Sequence, residues 1–227
     1  MCVIMSRAGS AEQMISRDRF FSIGHSHHTI ADLMALLRQA GVTAIADVRS
    51  QPFSRRLPHF NRSELEAALR ENDLAYAFLG DSLGGRPARP SLYDTDGRVD
   101  YERVRQESFF QFGLDVLIEA GETHRIAMLC AEEDPLDCHR GLMIAPALVE
   151  RGITPQHLRG NGTVESTPAL EQRLLVETGV GAGILNGLFA ATILDEERRC
   201  YVEEAYRIMG RRKAYRLRGD ETDMIDE

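Results

Sequence analysis

The densest chemistry in this chain lies between Cys130 and Arg140, in Cys-Ala-Glu-Glu-Asp-Pro-Leu-Asp-Cys-His-Arg. Cys138, His139 and Arg140 place a thiol, an imidazole and a guanidinium side by side at an expected helix start. Free N–H groups and the helix dipole there favour a thiolate. Cys138 is therefore a candidate nucleophile or redox centre. The competing reading is a small buried residue that packs the loop. Cys130 ends an apolar run and reads as core, as free cysteine often is. Glu132 is a candidate general base, or a partner for Arg140. A metal site built from Cys130, Cys138 and His139, with or without His25, is a further reading. The spacing is no Cys-x-x-Cys knuckle and no second pair exists, so no metal is expected. The phosphatase and rhodanese signature is incomplete too. His-Arg-Gly-Leu-Met-Ile follows Cys138, with no arginine at the later position.

Other polar residues gather at equivalent places. Asp47 and Arg49 alternate along one strand exit, followed by Ser54 and Arg55. Asp47 would accept a proton or orient a hydroxyl, and Arg49 would grip an anion with two parallel N–H groups. An internal Asp–Arg pair that fixes the loop is the equal alternative. His25, after Gly24, suits acid–base work near neutrality. His27 and His28 are expected to face water or cap a helix. Gly84 and Gly85 would let backbone approach a ligand, and His139 and Arg140 complete the anion-binding candidates.

These residues need elements to position them. Phe20–Gly24 reads as a first strand. Thr29 and Asp32 form a capping box before a helix with Ile30, Leu33, Met34, Leu36 and Leu37 on one stripe. Val42–Val48 is a second strand, nearly continuous in apolar residues, as strands buried on both faces are. Ser63 and Glu66 suggest a second capping box. Leu74–Leu79 reads as the third strand, Tyr101–Ala120 as a helix broken near Ser108, and Arg125–Cys130 as the fourth strand. His139–Arg151 should be helical and Ile153–Leu158 a fifth strand. The fold class is therefore α/β: a parallel sheet of about five strands with helices on both faces, plus a C-terminal helical extension. Every polar candidate falls at a strand's carboxyl end, where open parallel sheets bind ligands. His157 and Arg159 end the fifth strand in the same way. The domain reading is a flexible tail over 1–18, an α/β domain over 19–160 and helices over 161–227. In that last part Pro168–Glu177 and Ile193–Met209 read as helical. Arg211, Arg212, Lys213, Arg216 and Arg218 form a basic cluster before an acidic tail, expected to face water.

The bulk numbers narrow the function. With 227 residues, 43% hydrophobic and 27% charged, this is the composition of a soluble globular chain. A net charge of −8 argues against a general nucleic-acid binder, so any such contact is a local patch. No run approaches the ~20 apolar residues a membrane helix needs, and no secretory pattern opens the chain. A cytoplasmic protein is expected, and four cysteines make no disulfide scaffold.

Taken in order, Ser22-Ile-Gly-His25, Asp47-Val-Arg49 with Pro52, Ser54 and Arg55, Leu83-Gly-Gly85, Leu129-Cys-Ala-Glu132 and Cys138-His-Arg140 resemble the domain of unknown function 488 family. The resemblance spans about residues 20 to 160. It implies an α/β domain with this polar cluster as its shared feature and supplies no reaction. The expected function is a cytosolic enzyme on a small anionic or nucleotide-like substrate. Asp47, Glu132, His25 and Cys138 would do the chemistry, glycosidic or thiol-based. The alternative is a regulatory module that binds a nucleotide or nucleic-acid end without turnover. No cofactor is required by the sequence.

Overall fold

The computed structural model describes residues 19–182 and 195–217. The expected N-terminal tail, the linker from Gly183, the helix start at Ile193, Arg218 and the acidic tail lie outside the described residues.

Six strands form one sheet in the order β3-β2-β4-β1-β5-β6. They are β1 (Phe20–Gly24), β2 (Ala44–Asp47), β3 (Ala75–Phe78), β4 (Ile126–Cys130), β5 (Gln156–Leu158) and β6 (Val164–Ser166). The first five run parallel. β6 pairs antiparallel with β5 and makes the sheet mixed. The sequence reading had no strand after residue 160, because three residues of edge strand leave no period to detect. β3, at the other edge, alternates between exposed and half-buried, whereas β1, β2 and β4 are buried throughout.

Helix α1 (Ile30–Gln39) opens with the expected capping box, Thr29 and Asp32 bonding each other's backbone N–H. It buries Leu33, Met34 and Leu37, each worth about 2 kcal/mol of burial. Helix α2 (Arg62–Glu71) does not use Ser63 as its cap. After a 3₁₀ turn at Pro58–Phe60 the helix is capped two residues earlier, at Asn61. Asn61 Oδ1 instead accepts from Ser54 N at 2.7 Å, and Ser63 turns to Glu64. A short helix α3 (Gly80–Leu83), α4 (Tyr101–Gln106) and α5 (Ser108–Thr123) follow, with the expected break at Glu107. Cys138 then leads into a π-turn, Arg140–Ile144, that continues as α6 (Ala145–Glu150).

Successive strand residues face opposite sides. One core holds Phe20, Ala46, Val48, Met128 and Cys130 beneath α4, α5 and α6. The other holds Phe21, Ile23, Ile45, Ala127 and Leu129 beneath α1 and α2. The chain leaves β1 leftward to β2 and leaves β4 rightward to β5. Right-handed crossovers put α1 and α6 on opposite faces, so the topological switch lies between the carboxyl ends of β1 and β4.

The C-terminal helices α7 (Thr167–Thr178) and α8 (Asp195–Lys213) pack on each other through Leu170, Leu174, Val202, Ala205 and Met209. Leu136 and Leu142 from the thiol-bearing segment complete that core. Beyond α8 the chain is stitched to the α/β body: Val99 N donates to Tyr215 O, and Leu217 N to Gly97 O. The basic cluster is exposed but paired. Arg211 meets Asp94 and Asp96, Lys213 meets Asp137 at 2.6 Å, and Arg216 Nε donates to Asp96 O. Among the described residues no helix is long and apolar enough to cross a membrane.

Candidate functional site

At the carboxyl end of β4, Cys130, Cys138 and His139 converge, with their ligating atoms all within 4.8 Å of one another. His139 Nδ1 lies 3.8 Å from Cys130 Sγ and 3.7 Å from Cys138 Sγ. His139 Nε2 donates to Val48 O at 2.9 Å. That bond holds the Nε2–H tautomer and aims the Nδ1 lone pair at the two sulfurs. The Cys130 thiol donates to Glu132 Oε2 at 3.0 Å. Cys130, Cys138 and His139 are buried, while Glu132 reaches inward from an exposed position.

The charges follow from this packing. Its hydrogen bond to Cys138, then burial, push the Cys130 thiol well up. Cys138 goes the other way. Burial would raise it, but its bond with Cys130 and the charges of Arg140 and His139 hold it well below an ordinary thiol. His139 is raised, against its burial, by the neighbouring Cys138 charge. Burial, and then Cys138, push Glu132 up. Of the two thiols Cys138 is thus the one biased toward the thiolate, while Cys130, Glu132 and His139 are each biased toward keeping a proton.

The carboxylates of the acidic loop would oppose a thiolate if they pointed inward. Three of the four turn away. Glu133 and Asp134 pair with Arg159 at 2.8 and 3.1 Å, Asp134 also with Arg173 at 2.7 Å, and Asp137 with Lys213. Arg173 and Lys213, which neutralise this loop, come from the C-terminal helices. No sequence signal linked these helices to the loop.

Arg140 is wholly buried and donates to Glu132 O and Glu133 O at 2.7 Å each. It braces the loop from beneath, and its Nε has no hydrogen-bond partner among the described residues. Gly84 and Gly85 serve close approach to protein groups. A Cβ on Gly84 would stand 2.4 Å from Ser50 Oγ, and one on Gly85 2.9 Å from the His139 ring.

A second group sits on the opposite face of the sheet. Asp47 is fully buried. Arg49 meets it with Nε to Oδ1 at 2.8 Å and Nη2 to Oδ2 at 2.6 Å, and Tyr76 Oη adds a bond to Oδ2 at 2.9 Å. Arg49 Nη1 donates to Phe60 O at 2.8 Å and to His25 Nε2 at 3.4 Å. His25 Nδ1–H donates to Ser26 O, and its ring stacks on Phe60 at 4.3 Å. Burial, then Arg49, lower its pKa to about 4, so it is neutral at pH 7. The pairing of Asp47 with Arg49 is thus internal. The two groups do not share one pocket wall: strand alternation puts Cys130 and Asp47 on opposite faces, and the Val48 carbonyl is the bridge between them. His25 therefore stands apart from the thiols.

The loop after Arg49, with the expected Ser54 and Arg55, carries one residue the sequence reading missed, Phe53. Phe53 is 68% exposed, and the exposed Arg55 and Arg56 follow it without an ion pair among the described residues. Ser54 Oγ accepts from Leu57 N and shapes this turn. Ser50, at its root, accepts from Arg86 N. An exposed aromatic two residues from a double arginine is the signal that would have found it. His157 also proves structural. Ser22 Oγ donates to its Nδ1 at 2.7 Å, its Nε2–H faces Thr167 Oγ1 at 3.3 Å, and Thr167 donates to Pro155 O.

A cavity of about 1290 Å³ lies elsewhere, between α4, α6 and α8, lined by Tyr101, Arg105, Leu142, Glu171, Arg199 and Tyr206 among others. Leu142, whose N–H donates to Cys138 O at 3.0 Å, and Tyr101 tie it to the cluster. The Tyr101 hydroxyl is pushed up by burial and then by the charges of Cys138, Cys130 and Glu132.

The family model described as "Domain of unknown function DUF488" matches residues 29–145, just over half of the chain. The chain belongs to the DUF488 family. No curated protein and no solved structure matches it significantly. The match includes α1, the Asp47–Arg49 exit, the Phe53–Arg56 loop, Gly84–Gly85 and the whole Cys130–Arg140 segment. Ser22–His25, Arg159 and both C-terminal helices fall outside it. The DUF488 portion therefore contains the thiol cluster entire, while part of what neutralises its acidic loop comes from beyond the family match.

Proposed function

We propose that the protein is an enzyme acting on a small anionic, nucleotide-like substrate at the carboxyl ends of the sheet. Cys138, His139, Glu132 and Cys130 form its reactive centre, and the Phe53–Arg56 loop is its docking element. The observation that carries this reading is convergence. Two thiols, an imidazole and a carboxylate meet beside the topological switch point, while the neighbouring acids are paired off with arginines and a lysine. The balance favours sulfur–imidazole chemistry over a glycosidic mechanism run by Asp47, because that carboxylate is bound to Arg49 and Tyr76 on the other face. Phe53 offers a stacking face for a base, and Arg55 and Arg56 offer charge for phosphate.

The test is turnover and thermal shift on a panel of nucleotides, nucleosides and sugar phosphates. Arg55→Glu with Arg56→Glu should raise KM and leave kcat largely intact, whereas Cys138→Ser should abolish turnover and keep the ligand-induced rise in Tm. A ligand that raises Tm with no turnover by the wild type would overturn the enzyme reading in favour of a binding module. Neither turnover nor a Tm shift across the panel would overturn the substrate class.

A further inference from the structure

We propose that Cys130, Cys138 and His139 bind a divalent soft-to-borderline cation, Zn²⁺ foremost, with Glu132 or a water at the fourth position. The proposal rests on the same cluster as the reactive centre above but on its geometry alone. In a tetrahedral site with Zn–S near 2.3 Å and Zn–N near 2.0–2.1 Å, sulfur and nitrogen ligands stand about 3.6 Å apart. The two Nδ1–Sγ separations here are 3.8 and 3.7 Å. Two edges of such a tetrahedron are thus already in place, and the two sulfurs lie within 4.8 Å of each other.

The imidazole is oriented as metal-bound histidines are, its remote N–H fixed by a backbone carbonyl so that the other nitrogen keeps its lone pair. The Gly85 backbone presses against that ring, closer than any side chain would allow. The ligand set of two sulfurs and a nitrogen selects zinc-like ions over magnesium or calcium. Glu132 is an exposed residue whose Oε2 reaches in to 3.0 Å from Cys130 Sγ. It closes the site at rest, and when it swings out it leaves room for a water that the ion would acidify. Buried Arg140, behind the loop, offsets part of the charge of two thiolates and a carboxylate. Binding needs both sulfurs as thiolates and a free Nδ1, so uptake of the ion displaces the protons the cluster holds and strengthens as pH rises.

The experiment uses the full chain, purified without chelator, with zinc itself as probe. Metal analysis should find about one zinc per chain. Chelator-stripped protein should take up one equivalent again under anaerobic conditions, with a rise in Tm. Cobalt in its place should show thiolate-to-metal charge transfer in the near ultraviolet and the intense visible bands of four-coordinate cobalt. His139→Gln should weaken zinc by more than the roughly 100-fold that losing an outer orienting partner costs. The cobalt spectrum of the wild type needs no variant and stands even where a cysteine variant fails to fold. Stripped protein with a native circular dichroism spectrum that takes up no zinc overturns the proposal, as does equal uptake by Cys130→Ser with Cys138→Ser. No zinc uptake together with Cys138-dependent turnover would sink the metal site and leave the enzyme reading. Zinc uptake without turnover on the panel does the reverse.

Discussion

Replacing Arg49 with methionine tests whether the Asp47 group is a brace or a ligand site. Asp47 is fully buried and Arg49 is 6% exposed. Removing the guanidinium takes away two charge-assisted bonds to Asp47, one to Phe60 O and a weaker one to His25. Tyr76 Oη and the residue-49 backbone N–H remain on the carboxylate. Breaking a buried pair by removing one partner costs about 3–5 kcal/mol, because the other charge is left uncompensated. The two remaining donors place Arg49→Met at the lower end, about 3 kcal/mol. Replacing both partners, as Asp47→Leu with Arg49→Met, removes the stranded charge. It should recover at least half of that loss, with Tyr76 losing its acceptor as the residual cost. The assay is urea denaturation at pH 7 on all three proteins, the slope being checked for constancy. A destabilisation of Arg49→Met below about 0.5 kcal/mol, together with loss of every ligand response, would refute the brace and return Arg49 to the anion site.

Three further outcomes follow from particular contacts. His157 is held down to about 3 by burial and then by Arg140 and Arg159, so the unfolded chain takes up this proton first. Its contribution is therefore intact above about pH 6.5 and is lost as pH falls toward 3, at about 1.4 kcal/mol per pH unit. Denaturation midpoints of His157→Gln should fall less steeply over that window, and an unchanged slope counts against the buried neutral histidine. Thr29→Ala should cost about 1 kcal/mol and Ser63→Ala less than about 0.5, because only the first is a working cap; equal losses in melting experiments would contradict the helix starts. Gly24→Ala should cost at least 1–3 kcal/mol, since its Cβ would stand 1.7 Å from Glu132 O, and should shift the His139 imidazole resonances. A variant with native stability and spectrum would show that the loop does not cross β1 there.

The sequence by itself determined the parallel core of the fold and the end of the sheet where the chemistry sits. The near-continuous apolar run of β2 and the Thr29–Asp32 cap are local signals, legible because burial on both faces and capping each act within a few residues. The clustering of polar residues at strand exits was legible for the same reason. Which of those residues meet was not. Asp47 and Cys130 both end strands, yet side chains alternate and the two face opposite sides, a matter of register that neither segment states alone. His139 finds Val48 O across 91 residues, and Cys130 and Cys138, too widely spaced for a zinc knuckle, are brought together by the turn at Pro135–Asp137. The acidic loop is neutralised from α7, from the end of α8 and from Arg159. Charge pairing of that kind depends on where helices dock, and docking is set by the apolar faces of Leu136, Leu142, Leu170 and Met209, which carry no information about charge. The segment from Cys130 to Arg140 supplied the reactive atoms, and only the tertiary structure decided which of them are free to react and which hold the loop in place.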